Sequence, residues 1–118
     1  MDAAAERITR EDFLEVMQRH IGAGNGATAR QLVQEIKVDL MPDLSAERRV
    51  RKLVVDLRKE GHHICAHPSR GYFIAATDKE LEETCEYLRH RAMTSLAQLS
   101  AMTRTSIPDL VGQQRLPT

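Results

Sequence analysis

The chain has 118 residues, room for one domain with a little left over. An apolar fraction of 42% supports a core, but with no Trp and 3% aromatic residues, Leu, Ile, Val, Met and Ala must fill it. Seventeen Lys and Arg balance seventeen Asp and Glu, which excludes a polycation that holds a polyanion by total charge alone.

Cys65 and Cys85 are the only cysteines, too few for a disulfide framework, and read as reduced thiols of a cytoplasmic protein. No stretch approaches transmembrane length, and the opening MDAAAERITRED lacks the basic-then-apolar order of a signal peptide. No membrane partner is expected.

Residues 1–8 are Ala-rich and predicted to be a disordered N-terminus. Thr9 with Asp12 reads as a helix cap, and Phe13, Leu14, Met17 and Ile21 then recur at helical spacing. Gly22 to Gly26 is a loop. Thr28 with Gln31 forms a capping-box pattern that opens a short second helix, its inward face Ala29, Leu32, Val33 and Ile36. Residues 37–44 connect to the third helix. Pro42 keeps the two helices apart, and Leu40, Met41 and Leu44 are expected to tuck onto the core.

From Ser45 to Glu60 the apolar residues Val50, Leu53, Val54 and Leu57 are spaced three and four apart, one buried stripe of a third helix. The opposite face carries Arg48, Lys52 and Lys59, with Arg49 and Arg51 on its flanks. Gly61 closes the helix. The period then changes to alternation: strands at 62–66 and 72–77, with Ile64, Tyr72 and Ile74 inward, flank a turn from His67 to Gly71. Thr77 with Glu80, or Asp78 alone, caps a long fourth helix over 78–103, and residues 104–118 read as a flexible tail.

Charge is sorted by segment. From Ser45 to Thr77 there are 7 Lys and Arg against Glu47, Asp56 and Glu60. A cationic helix face backed by an apolar stripe is what a major-groove reader needs. Arg48 and Lys52 lie one turn apart near the N-terminal half, where base edges are met, and Ser45 at the helix start joins the candidate DNA-binding set. Arg49 and Arg51, off to the sides, suit phosphates, Lys59 completes the cationic set, and outward Val55 suits a thymine methyl. His67 and Arg70 in the turn can reach a minor groove or a phosphate. The competing reading of the helix is a solvated charged surface.

Other chemistry is weaker. His62, His63, Cys65 and His67 lie close together, but a zinc site draws a second ligand pair from elsewhere and none is visible, so no metal and no cofactor is expected. There is no phosphate loop, nucleophile elbow or HExxH pattern, so no catalysis is expected. Glu80, Glu82, Glu83 and Glu86 read as solvated carboxylates at a helix start. Along the fourth helix Leu81, Cys85, Leu88, Ala92, Ser95, Leu99 and Met102 alternate steps of four and three, a heptad seam suited to a homodimer. The competing reading packs that helix on its own domain. In the tail, Gln113 and Leu116 loosely resemble a sliding-clamp-binding peptide without its aromatic end; the tail is a candidate site for a protein partner.

The run from Arg51 to Ala92, through Leu57, Gly61, Ile64, Gly71-Tyr72, Ala76 and the acidic start of the fourth helix, resembles the winged-helix domains of bacteriophage and prophage DNA-binding proteins. Those are similar to the biotin-repressor type of helix-turn-helix. The resemblance covers under half the chain. It implies an α+β winged helix over 9–77, three helices plus a two-stranded β-hairpin wing, with an added long C-terminal helix. It also implies a bacterial or phage origin, with the third helix as recognition element. The expectation is a sequence-specific binder of double-stranded DNA, a cytoplasmic transcriptional regulator that works as a dimer. The alternative is a phage replication or host-takeover protein acting through protein contacts of the fourth helix and the tail.

Overall fold

The computed structural model describes residues 8–36 and 44–104. Pro42, Leu40 and Met41 of the linker, and the tail with Gln113 and Leu116, lie outside the described residues. In chain order the elements are α1 (Arg10–Met17), a 3-10 turn (Ala23–Asn25), α2 (Ala29–Ile36), α3 (Leu44–Lys59), β1 (Ile64–His67), β2 (Gly71–Ile74) and α4 (Asp78–Thr103). Among the described residues four helices and an antiparallel hairpin make an α+β arrangement, as the periodicity predicts. It divides into two compact units after Thr84.

The caps form as the sequence predicts. Thr9 Oγ1 accepts from the Asp12 amide at 3.1 Å. At α2 the box is reciprocal: Gln31 N donates to Thr28 Oγ1 at 3.1 Å, and Thr28 N donates to Gln31 Oε1 at 2.8 Å. Each satisfies an amide that the first helical turn leaves without a partner. α3 ends at Gly61, whose φ of 99° belongs to the left-handed region. There His62 N donates to Leu57 O and Gly61 N to Arg58 O, both at 3.0 Å, the paired closure typical of a glycine stop.

α1 ends at Met17, one turn earlier than the apolar spacing suggests. The backbone of residues 20–22 is held by β2 instead: Ile74 N donates to His20 O at 2.7 Å and Gly22 N to Ile74 O at 2.8 Å. Ile21 therefore bridges to Ile74 rather than riding the helix, and it is exposed. Ala27 pairs with Tyr72 in the same way, through bonds of 2.9 and 2.7 Å. β2 is thus bonded on one side to β1, in the register Ile64↔Ile74 to His67↔Gly71, and on the other to the α1–α2 connection.

The core joins Phe13, Val16 and Met17 of α1, Ala29, Leu32 and Val33 of α2, Ala46, Val50, Leu53, Val54 and Leu57 of α3, and Ile64. Ile8 belongs to it too. It is fully buried, and its carbonyl accepts from Arg49 Nε at 3.2 Å, so Ile8, within the segment expected to be disordered, is part of the core. Leu44 departs the other way. It is the first residue of α3 and 69% exposed, not tucked onto the core. Tyr72 and Ile74 pack partly buried against the core, as expected. The strands are buried on both faces, however: Cys65 and Phe73, opposite each other in the register, are buried as well. Cys65 Sγ donates to Glu80 O at 3.6 Å, and Thr84 is buried, so the start of α4 meets β1 at Cys65 on the second face of the hairpin.

Candidate nucleic-acid interface

α3 buries one stripe and exposes the other. Ala46, Val50, Leu53, Val54 and Leu57 are inside; Arg48, Arg51, Lys52, Val55 and Lys59 are exposed, and Ser45 is half-buried at the N-terminal end. At 3.6 residues per turn Ser45, Arg48, Lys52, Val55 and Lys59 share one strip of the cylinder, with Arg51 at its edge. Val55 is 46% exposed and lies among the cations. Nothing within the described residues covers this face.

The charges differ in how they are held. Arg48 and Lys59 make no ion pair among the described residues. Arg51 meets Glu47 at 3.4 Å and Lys52 meets Asp56 at 3.2 Å, both one turn apart along α3. Exposed pairs of that spacing contribute only about 0.3–0.5 kcal/mol, so either cation exchanges its carboxylate for a phosphate at little cost. Arg49 is different. Its Nε is committed to the Ile8 carbonyl, and its first task is to tie the segment before α1 to α3. Arg10 and Glu60 form a second tie, from the start of α1 to the end of α3. Arg58, absent from the sequence-based set, donates from Nε to Ile64 O at 2.7 Å and fixes α3 to β1.

The wing turn is His67 to Gly71. His67 Nδ1 faces Ser69 Oγ at 2.9 Å and accepts from the Ser69 amide at 3.2 Å, so this ring shapes the turn. Arg70 is exposed at its tip. Among the described residues no hydrogen bond or ion pair joins His67 or Arg70 to the exposed face of α3.

The wing rests on the glycine-rich loop, a contact that no local sequence pattern encodes. A Cβ on Gly26 would lie 1.9 Å from Arg70 O, and one on Gly71, at φ 78°, would lie 2.4 Å from Ala27 C and O. Only glycine permits backbones so close. A groove of about 590 Å³ runs between the two, lined by Ala23, Gly24, Gly26, Thr28, Gln31, Ser69 and Arg70, with no carboxylate in its wall.

Glu80 is not the solvated carboxylate expected of an acidic helix start. Its Oε2 accepts from Ala23 N at 2.9 Å and its Oε1 from Ala76 N at 2.8 Å, while Glu80 N donates to Thr77 Oγ1 at 3.1 Å. One side chain thereby ties the glycine-rich loop to the start of α4. The Ala23 amide first, then the Ala76 amide, hold its carboxyl below the ordinary range, and the Arg70 charge adds to that.

The histidine and cysteine cluster is dispersed by the strand: Cys65 is buried against α4, while His62, His63 and His67 are exposed. Among the described residues no three His, Cys, Asp or Glu side chains gather around a point where a metal could sit, and no helix is long and apolar enough to cross a membrane. No family model, curated protein or solved structure matches the chain.

Proposed function

We propose that this chain is a winged-helix protein that binds duplex DNA, with α3 in the major groove and the 67–71 turn as a wing on the backbone or minor groove. One observation carries the reading: the cations Arg48, Arg51, Lys52 and Lys59 share an uncovered face of a helix whose other face is locked in the core. The order of the elements supports it. Among the described residues three helices precede the hairpin, and the α1–α2 connection pairs with β2, so the wing is braced from behind. A sequence-specific transcriptional regulator is the role that fits such a reader best.

A salt-titrated binding assay tests the reading. Affinity for duplex should fall steeply with salt, the slope of log K against log salt being about −0.9 per phosphate neutralised. Arg48→Ala with Lys52→Ala should lower discrimination between sequences, each lost base contact worth about 1–3 kcal/mol. Arg70→Ala should weaken all duplexes alike and flatten the slope by about one. A salt-insensitive affinity, or none at all, would reject the reading. The alternative, a phage protein acting through protein contacts of α4, would then lead, since Tyr87 and Met93 are exposed there.

A further inference from the structure

His20 stands where α1 gives way to the glycine-rich loop, and both of its ring nitrogens face oxygen. Nδ1 lies 2.7 Å from the Asn25 carbonyl. Nε2 lies 3.0 and 2.9 Å from the two carboxylate oxygens of Glu35 on α2. A carbonyl and a carboxylate can only accept, so each position calls for an N–H, and only the cationic ring carries both. In either neutral tautomer one nitrogen turns a lone pair toward an oxygen. The side chain is 14% exposed, so water makes up poorly for a lost donor. The neighbouring groups do not replace it. Arg19 Nη1 is 3.9 Å from Glu35 Oε1, beyond hydrogen-bond reach. Gln31 and Gln34 are neutral, and β2 meets this segment through the Ile74 amide, which donates to His20 O at 2.7 Å. A cleft of about 470 Å³ bordered by Arg19, Gln31 and Gln34 gives the ring's proton a way out.

We propose that His20 is a proton-dependent clasp: its charged ring fastens the glycine-rich loop to α2, and rising pH releases the loop by taking one of the two ring protons. The Asn25 carbonyl does not move alone. Asn25 Nδ2 donates to Ile21 O at 2.8 Å and Asn25 N to Gly22 O at 3.0 Å, so what the ring holds is the whole turn. Gly22 and Ala27 at its two ends carry amide bonds to β2, and through them the clasp reaches the strand that bears the wing. Since the folded bonds need the protonated ring, their contribution is complete at low pH and falls as pH rises. The far side of the loop behaves differently. Glu80 holds the Ala23 amide through an ionised carboxylate, kept below the ordinary range by the Ala23 and Ala76 amides, so that fastening persists while His20 changes charge. Release is therefore confined to the side of the loop that faces α2.

This clasp is independent of the DNA reading, and its test uses no DNA. Amide hydrogen exchange on the full chain, corrected for the intrinsic base-catalysed rate, is followed at Gly22 and Ala27 between about pH 5 and 8, where imidazole changes charge. Protection in the wild type should fall about tenfold, the equivalent of one hydrogen bond to a charged group. It should stay level in His20→Gln, which does not titrate. It should also stay level in Glu35→Gln, where the introduced amide can donate to a bare Nε2. Nitrogen-15 signals of the wild-type His20 ring should pass from two protonated nitrogens to one over the same range, a readout that needs no variant to fold. A ring with one bare nitrogen at the acid end would overturn the proposal. So would an equal loss of protection in the wild type and in Glu35→Gln, or a ring that titrates while Gly22 and Ala27 keep their protection.

Discussion

At the level of single residues, Glu80 shows how much one carboxylate can organise. It gathers amides from the glycine-rich loop and from the turn before α4, and those bonds need the ionised form. Because its native pKa lies below the ordinary value of 4.5, its contribution is complete above that value and is lost as pH falls through the native one. Glu60, lowered by its hydrogen bond to Arg10, follows the same sign. Urea midpoints at pH 7 and pH 3 should therefore fall more for the wild type than for Glu80→Gln. Equal falls would show that the bonds to Ala23 and Ala76 contribute nothing in solution. The sequence hides this role. Thr77 and Glu80 announce a cap, but the partner amide at Ala23 lies 57 residues away, and no local pattern encodes so distant a contact.

At the level of elements, α3 is the plainest case of a helix read from its spacing. Its inner stripe is buried as expected because residues three and four apart must share a face. Its two faces should separate cleanly in mutagenesis. Leu57→Ala removes a fully buried side chain and should cost about 2–5 kcal/mol in urea unfolding. Arg48→Ala with Lys52→Ala should stay within roughly 0.5 kcal/mol per substitution, as exposed changes do. A large loss from the arginine and lysine pair would mean that the outer face is structural. The hairpin was legible as two strands about a turn, but not as a two-faced element. Alternation names one inward face, and Cys65 and Phe73 fall on the other, where Cys65 meets the Glu80 carbonyl of α4, a contact nothing in the strand itself encodes. Likewise the early end of α1 follows from backbone pairing with β2, which competes with a helical pattern that Ile21 would otherwise extend.

At the level of the whole molecule, equal numbers of acidic and basic residues give a pI of about 7.0. The net charge vanishes at neutral pH, and the chain lacks the self-repulsion that keeps proteins apart. Precipitation by polyethylene glycol should be easiest near pH 7 and should require more precipitant at pH 5.5 or 8.5. A flat profile would contradict this. The same neutrality makes the local sorting of charge matter: α3 presents cations although the chain as a whole has none to spare.

A small two-stranded sheet normally offers vacant rungs on which a foreign polypeptide can lay itself down, the first step toward fibres. Here the connection between α1 and α2 already occupies the free margin of β2, from His20 to Ala27. The stretch that joins two helices thus also withholds a template for templated growth, and a crowded solution finds no seed along that strand.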